Sequence, residues 1–262
     1  MDILFFVVAF LSSIVGAICG IGGGVVIKPV LDMLQMGEPA TINFLSGCTV
    51  LSMSFYSVAK ALRAGDSKVE LSTGTPLALG AALGGVAGKE LFSAVKDFFG
   101  GSPMVGGVQA VALGIITLGT LLYTVNKSRI RTRSTSNKAV CLVIGLGLGI
   151  MSSFLGIGGG PINLVVLGYF FGMDTKTAAA NSLYIILFSQ AASLIATLVT
   201  RSVPEFGVLA LALMVAGGIG GGIVGRKLNK KMDNKAVDKL FMGLMVLIVA
   251  ICVYNALRAF LA

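Results

Sequence analysis

The chain has 262 residues, of which 56% are hydrophobic and only 12% charged; it carries a net charge of +9 and no histidine. Soluble domains carry about 25% charged residues, so this composition excludes an ordinary soluble enzyme and marks an integral membrane protein with no room for a catalytic head. The positive charge sits in short connectors, where the cytoplasmic bias of Lys and Arg accounts for it without invoking nucleic acid.

Residues 3–19 form a continuous apolar run, about 25 Å long as a helix. Gly20-Ile21-Gly22-Gly23-Gly24 follows, with no turn-type polar residues beside it. Each Gly costs a helix interior roughly 1 kcal/mol relative to Ala, so the run predicts a break. Val25–Met36 is a shorter apolar piece containing Lys28 and Pro29. Lys28 reads as a snorkelling or loop-end cation rather than a substrate ligand. Residues 40–61 are a polar-containing span with Asn43, Ser46 and Thr49. Residues 71–88 carry Gly80, Gly84 and Gly88, a spacing that lets helices approach closely. Residues 103–126 close the first half, and the linker 127–138 carries five positive charges and no acid.

The second half repeats this order. Residues 139–155 are apolar and Gly156-Ile157-Gly158-Gly159-Gly160 repeats the break 136 positions after the first; Pro161–Gly172, 176–200, 206–225 and 237–261 complete it. Asn43 aligns with Asn181 at an offset of 138, and Gly80, Gly84, Gly88 and Lys89 align with Gly217, Gly221, Gly225 and Arg226 at 137. The repeat divides the chain into a first transmembrane repeat (1–126), a basic cytoplasmic linker (127–138) and a second repeat (139–262).

Segments 127–138 and 226–239 are both basic and both expected inside. That requires an even number of crossings between them, so each broken segment reads as a hairpin bent at its Gly run. Each half then has about five membrane segments, an odd number, which makes the halves inverted repeats. Counting each broken segment once gives eight spans. The expected fold is all-α, a polytopic transmembrane helix bundle. Its loops at 89–102 and 226–239 lie on opposite faces and both termini lie outside.

A break inside hydrocarbon is tolerated only where protein or a cavity covers the freed backbone groups. One break per half points to a transporter's binding site. A helix starting after a Gly run presents free N–H groups and a partial positive charge, which suits an anion. The half-helices starting at Val25 and Pro161 are therefore expected to aim at one anion, with Gly20, Gly22, Gly23, Gly24, Gly156, Gly158, Gly159 and Gly160 giving close backbone approach. Asn43, Ser46, Thr49, Asn181, Ser182 and Gln190 are the candidate side-chain donors; neutral donors suit an oxyanion that must be released again. The Gly runs match neither phosphate-binding fingerprint. The four cysteines are unclustered and no acidic cluster accompanies them, so no metal or cofactor is expected.

The motifs Gly20–Pro29 and Gly156–Pro161, each opening half of the chain, resemble those of the sulfite exporter TauE/SafE family of membrane transporters. The resemblance covers essentially the whole chain. It implies transport of sulfite, sulfonates or related organic anions across the plasma membrane, and agrees with the anion site reached from the breaks. The expectation is a multi-pass permease working by alternating access, not an enzyme, with a small anion and the lipid bilayer as partners. A homo-oligomer is left open. A passive anion channel and a non-transporting partner subunit are the alternatives.

Overall fold

The computed structural model describes residues 2–65, 68–99, 104–133, 135 and 137–261; Pro103 of the fifth expected segment and Ser134 and Ser136 of the linker lie outside them. Among the described residues the chain is all helix: α1 (Asp2–Cys19), α2 (Gly24–Met33), α3 (Pro39–Arg63), α4 (Leu71–Phe98), α5 (Met104–Asn126), α6 (Lys138–Phe154), α7 (Pro161–Phe171), α8 (Thr175–Val199), α9 (Val208–Lys231) and α10 (Asn234–Leu261). Six of these, α3, α4, α5, α8, α9 and α10, are long and apolar enough to cross a membrane. Their outward faces carry exposed apolar side chains such as Leu79, Leu83, Ile115, Leu122, Val246 and Val253, as a lipid-facing surface requires.

Several helix starts follow from local chemistry. Pro39 and Pro161 occupy first-turn positions where a missing N–H costs nothing. Asp174 caps α8, its Oδ1 accepting from the N–H groups of Lys176 at 2.9 Å and Thr177 at 3.0 Å. Burial pushes this carboxyl up, but the bonds from Thr177, the charge of Lys68 and the Lys176 N–H outweigh it and hold it below its ordinary value.

Two expected loops are largely helical. Helix α4 continues past Gly88 to Phe98, and α9 continues past Gly225 to Lys231, leaving only Met232 and Asp233 before α10. The charged residues there are good helix formers, and a 28-residue helix of about 42 Å extends beyond a hydrocarbon core of about 30 Å. Where apolar residues stop, the bilayer ends but the helix does not.

The tightest contacts join one half of the sequence to the other. A Cβ at Gly80, Gly84 or Gly88 of α4 would overlap the carbonyl oxygens of Leu142, Leu146 and Ile150 on α6. Gly217, Gly221 and Gly225 of α9 stand in the same relation to the carbonyls of Phe6, Phe10 and Ile14 on α1. Each carbonyl residue in the first set lies 136 positions after its counterpart in the second. The other main contacts between the halves follow the same pattern: α4 also packs on α8 and α9 on α3, while α3–α8 and α5–α10 pair counterpart with counterpart. Without a hydrophobic drive between helices in lipid, such close backbone approach is what holds a bundle together.

The broken segments are hairpins. Arg133 and Thr135, just before α6, donate to the carbonyls of Tyr169 and Phe170 at the end of α7, at 2.7 and 3.0 Å. Phe5 and Ala9 of α1 share a buried cluster with Ile27 and Leu31 of α2. Each hairpin therefore enters and leaves at one end of the bundle, α1–α2 at one end and α6–α7 at the other. At the α6–α7 end Lys127 pairs with Asp238 and Lys176 donates to the Met232 carbonyl, so both basic segments gather there. At the opposite end Thr41 donates to the Glu205 carbonyl, Lys89 to Thr200 and Ser202, and Arg258 to the Met33 carbonyl.

The seam is testable on one helix. Cβ atoms at Gly145 and Gly149 of α6 would meet the carbonyls of Leu77 and Ala81, whereas Gly147 has open space. Gly149→Ala is expected to lower the thermal stability of the detergent-solubilised protein by about 1–3 kcal/mol through overpacking. Gly147→Ala is expected to leave it unchanged or raised, since Ala is the better helix former. Melting followed by size-exclusion chromatography separates the two.

Candidate functional site

The two Gly runs end α1 and α6 and reverse the chain. Gly20 and Gly22 have φ of +75° and +72°, and Gly156, Gly158 and Gly159 have +65°, +70° and +132°, conformations that side chains other than Gly resist. The first backbone groups freed at each break find partners. Gly20 N–H and Ile21 N–H both donate to the Gly16 carbonyl, at 2.9 and 3.1 Å, while Gly156 N–H donates to Ser153 and Ile157 N–H to Ser152, at 3.1 and 3.3 Å. The last carbonyls are capped by amides from other helices: Asn229 Nδ2 donates to Ile18 O and Gln109 Nε2 to Phe154 O, each at 2.6 Å. Ile18 and Phe154 are 136 residues apart, so the same orphan carbonyl is met in both halves.

The breaks cross each other in the middle of the bundle. A Cβ at Gly24 would overlap the Ile157 carbonyl and lie 3.0 Å from Ser46 Oγ. One at Gly22 would lie 3.2 Å from Val50 Cγ1, 3.5 Å from Ile186 Cδ1 and 3.6 Å from the Gly158 carbonyl. Gly158 in turn packs on Val50, and Gly159 on Ile186. Gly23 sits against Ser13 Oγ at 2.9 Å by the same construction, and its carbonyl accepts from Ile27 N–H at 3.0 Å to start α2. Helix α2 thus begins at Gly24, one residue before the expected Val25, which is fully buried in the core. Gly160 is extended, with φ −160°, and Pro161 opens α7 where expected.

Two cavities approach this crossing. The first, about 340 Å³, is lined by Asn43, Gly47, Lys89, Lys96, Asp97, Ser153, Gly156, Gln190, Ser193 and Thr197, and comes from the Lys89 end. The second, about 410 Å³, comes from the basic end and is lined by Ala17, Ser57, Ala61, Lys68, Lys176, Ala179, Leu183, Arg226 and Lys230. Elements contribute to the two in exchanged roles: α3, α4, α6 and α8 to the first, and α8, α9, α1 and α3 to the second. Together the linings carry six cations and one acid, Asp97.

The structure sorts the sequence candidates. Asn43, Gly156 and Gln190 come together at the first cavity. Asn43 lies over Gly156 with both amide atoms buried and unpartnered, and Ser46 Oγ is likewise buried and unpartnered. Thr49 is withdrawn: its hydroxyl bonds the Leu45 carbonyl one turn back at 2.8 Å and its methyl packs on Gly218. Ser182 is held by Asn163 Nδ2 at 3.2 Å. Asn181 is fully engaged, accepting from Glu70 N–H at 3.1 Å and donating to the carbonyls of Lys68 at 3.1 Å and Thr177 at 2.9 Å. It ties the α3–α4 connection to α8 and is not the counterpart of Asn43. Gly20 packs on Ala179 as Gly156 packs on Asn43, and 179 lies 136 positions after 43. The true offset here is that of the Gly runs, because no insertion separates each run from the helix two elements on.

Sequence reasoning missed Ser153 and Ser189, both buried with unpartnered hydroxyls within 3.4 Å of a Cβ placed on Gly85. A serine in an apolar run looks like helix filler, and only the fold shows which way it points. Lys28 needs a correction as well. It neither snorkels nor ends a loop, but lies 2% exposed, paired with Asp32 at 2.9 Å one turn on in α2. A neighbouring amide, Asn255, donates to the Pro29 carbonyl at 2.9 Å.

Six apolar spans, two broken hairpins crossing at mid-bundle and two cation-bearing cavities leading to the crossing are the features of a multi-pass membrane transporter. The chain belongs to the sulfite exporter TauE/SafE family, whose profile, described as "Sulfite exporter TauE/SafE", matches residues 5–251. It is also similar to a probable membrane transporter protein of Methanocaldococcus jannaschii, 22% identical over 236 residues, which cover 83% of this chain and 84% of the relative. No solved structure matches the chain.

The two asparagines are separable by mutation. Asn181→Ala leaves the Glu70 N–H and the Lys68 carbonyl without their partner and is expected to lower stability by about 1–3 kcal/mol. Asn43→Ala removes an unpaired amide and is expected to leave the melting temperature unchanged or raised while reducing substrate flux. Parallel melting and flux measurements on both variants check this.

Proposed function

We propose that the chain is a plasma-membrane permease for a small sulfur-containing oxyanion, such as sulfite or a sulfonate, working by alternating access. The observation that carries this reading is the pair of cavities: they approach the crossed breaks from opposite ends, and their linings are strongly cationic. A surplus of cations raises the local concentration of anions. The unpartnered Asn43 and Ser153 and the adjacent Gln190 offer neutral donors at the floor of the first cavity, close to Gly156, and the unpartnered Ser46 hydroxyl lies deeper, against Gly24. The family is named for sulfite, and neutral hydrogen bonds plus distant cations suit an oxyanion that must be let go. The central residues Gly22–Val25 and Ile157–Pro161 are all buried, so no open pore joins the cavities. That favours a permease over a channel.

The basic end, with segments 127–138 and 226–239, is the cytoplasmic face on this reading. Both chain termini, near Phe5 and Arg258, are then outside. The exchanged helix pairings support two inverted repeats of five segments each.

The reading is tested by counterflow of labelled sulfite, sulfate, thiosulfate and a short sulfonate in proteoliposomes, with saturation expected for at least one. Ser193→Asp puts a carboxylate in the first cavity and is expected to cut that flux by at least roughly tenfold, since like charges about 6 Å apart repel by about 3 kcal/mol at an effective dielectric of 20. Ser193→Asn should leave flux within about threefold of the parent (under ~1 kcal/mol). Equal loss in both, or no saturable anion flux, refutes the proposal.

A further inference from the structure

One face of α3 and one face of α8 line both cavities. Along α3, Asn43 and Gly47 line the first cavity, and Ser57 and Ala61 the second. Along α8, Ala179 and Leu183 line the second, and Gln190, Ser193 and Thr197 the first. Each set follows the 3.6-residue period of a single helix face. The α8 positions 179, 183, 193 and 197 lie 136 residues after the α3 positions 43, 47, 57 and 61. On both helices the next position in the series after the first pair is a branched apolar residue that lines neither cavity, Val50 on α3 and Ile186 on α8. They too are 136 apart.

These two side chains meet at the crossing. Both contact the position of Gly22, Val50 also packs on Gly158 and Ile186 on Gly159, and they are 0% and 1% exposed. Met53, one turn beyond Val50, is fully buried and shares a cluster with both. Apart from Leu183, which lines the second cavity and joins the same cluster, the rest of the stripe is small or polar, with Ser54 bonding back to the Val50 carbonyl at 2.8 Å.

We propose that Val50 and Ile186 form the apolar barrier between the two vestibules, a paired gate that the permeating anion must pass and that keeps water and small inorganic anions from leaking. The proposal deepens the permease reading and rests on it for the identity of the permeant. Desolvating an anion between two branched alkyl groups with no donor is costly, so the closed pair blocks passage without any charge. Because the residues are equivalent in the two repeats, each serves whichever vestibule is closed. The bulk at these two positions, and not the glycines alone, then sets what leaks.

Cysteine accessibility and flux test this together. In a background with Cys19, Cys48, Cys141 and Cys252 replaced by Ala, Ser193→Cys and Ala61→Cys are each labelled in proteoliposomes by a membrane-impermeant thiol reagent added to one side. Ser193→Cys is expected to react from the Lys89 face only and Ala61→Cys from the basic face only. Adding Val50→Ala with Ile186→Ala should make each reactive from both faces and raise passive chloride efflux at least tenfold. Ile186→Val, which keeps the branched bulk, should preserve one-sided labelling and low chloride efflux, so a defect of folding in the double variant is recognised. Two-sided labelling in the parent, or one-sided labelling with unchanged chloride efflux in a well-folded double variant, overturns the gate. Failure of the parent to move any sulfur oxyanion refutes the permease reading instead, while the labelling pattern still decides whether the barrier exists.

Discussion

Every backbone N–H and C=O freed inside hydrocarbon needs a partner, and this chain frees two sets by breaking two helices. The partners come from within the protein: the Gly16, Ser152 and Ser153 carbonyls take the first reversed N–H groups, and Asn229 and Gln109 cap the last helix carbonyls. The breaks are then sealed by being laid across each other, Gly24 on the Ile157 carbonyl and Gly22 beside Gly158. That crossing is possible only with glycine, on both conformational and steric grounds. It also dictates the surroundings. Two hairpins that enter from opposite ends and meet in the middle must be flanked by helices long enough to line both, which are α3 and α8.

Glycine serves two different purposes, and backbone conformation tells them apart. At the crossing, Gly20, Gly22, Gly156, Gly158 and Gly159 have positive φ and would be strained as any other residue even in open space. Along the seams, Gly80, Gly84, Gly88, Gly217, Gly221 and Gly225 are helical, and it is the facing helix, its carbonyl first, that forbids a side chain. The first group makes reversal of the chain possible. The second makes close backbone contact possible across α4–α6 and α1–α9. In water such contacts would be minor beside apolar burial, but in lipid, where tails are as apolar as leucine, they are a main source of cohesion.

Much of the fold was legible in the sequence because its signals are local or periodic. The doubled Gly run, the four-residue Gly spacing and the parity of the basic segments each have one economical reading. Helix ends at 98 and 231 were not legible, since hydropathy reports where the bilayer stops rather than where the helix does. The site was legible only in part. Asn43, Gly156 and Gln190 converge, but Thr49 and Asn181 are spent on backbone bonds, and the orientation of a hydroxyl or amide depends on a rotamer and a neighbour that sequence spacing does not contain. The misplaced equivalence of Asn43 with Asn181 has a specific cause. Identity of residue type favoured an offset of 138, whereas contact with the Gly runs requires 136, which pairs Asn43 with Ala179.

That corrected pairing shows where the two halves differ. The scaffold is shared, but its polar decoration is not. Asn43 has Ala179 as its counterpart, and the largely buried Lys28–Asp32 pair of α2 has Leu164 and Gly168 at the corresponding places of α7. A buried ion pair brings little net stability, because desolvation offsets much of its Coulomb attraction, yet removal of one partner is strongly unfavourable. Its presence in one hairpin alone makes the two hairpins energetically unlike. In the alternating-access cycle proposed above, two conformations related by exchanging the roles of the repeats would have equal energy only if the repeats were identical, so these differences would set which one is preferred. The seams constrain how such an exchange could proceed. Since α4 is locked to α6 and α9 to α1, the sequence halves cannot move apart as two bodies. Any rearrangement at the crossing carries helices from both halves together, and the boundary at the basic linker divides the sequence without dividing the mechanics.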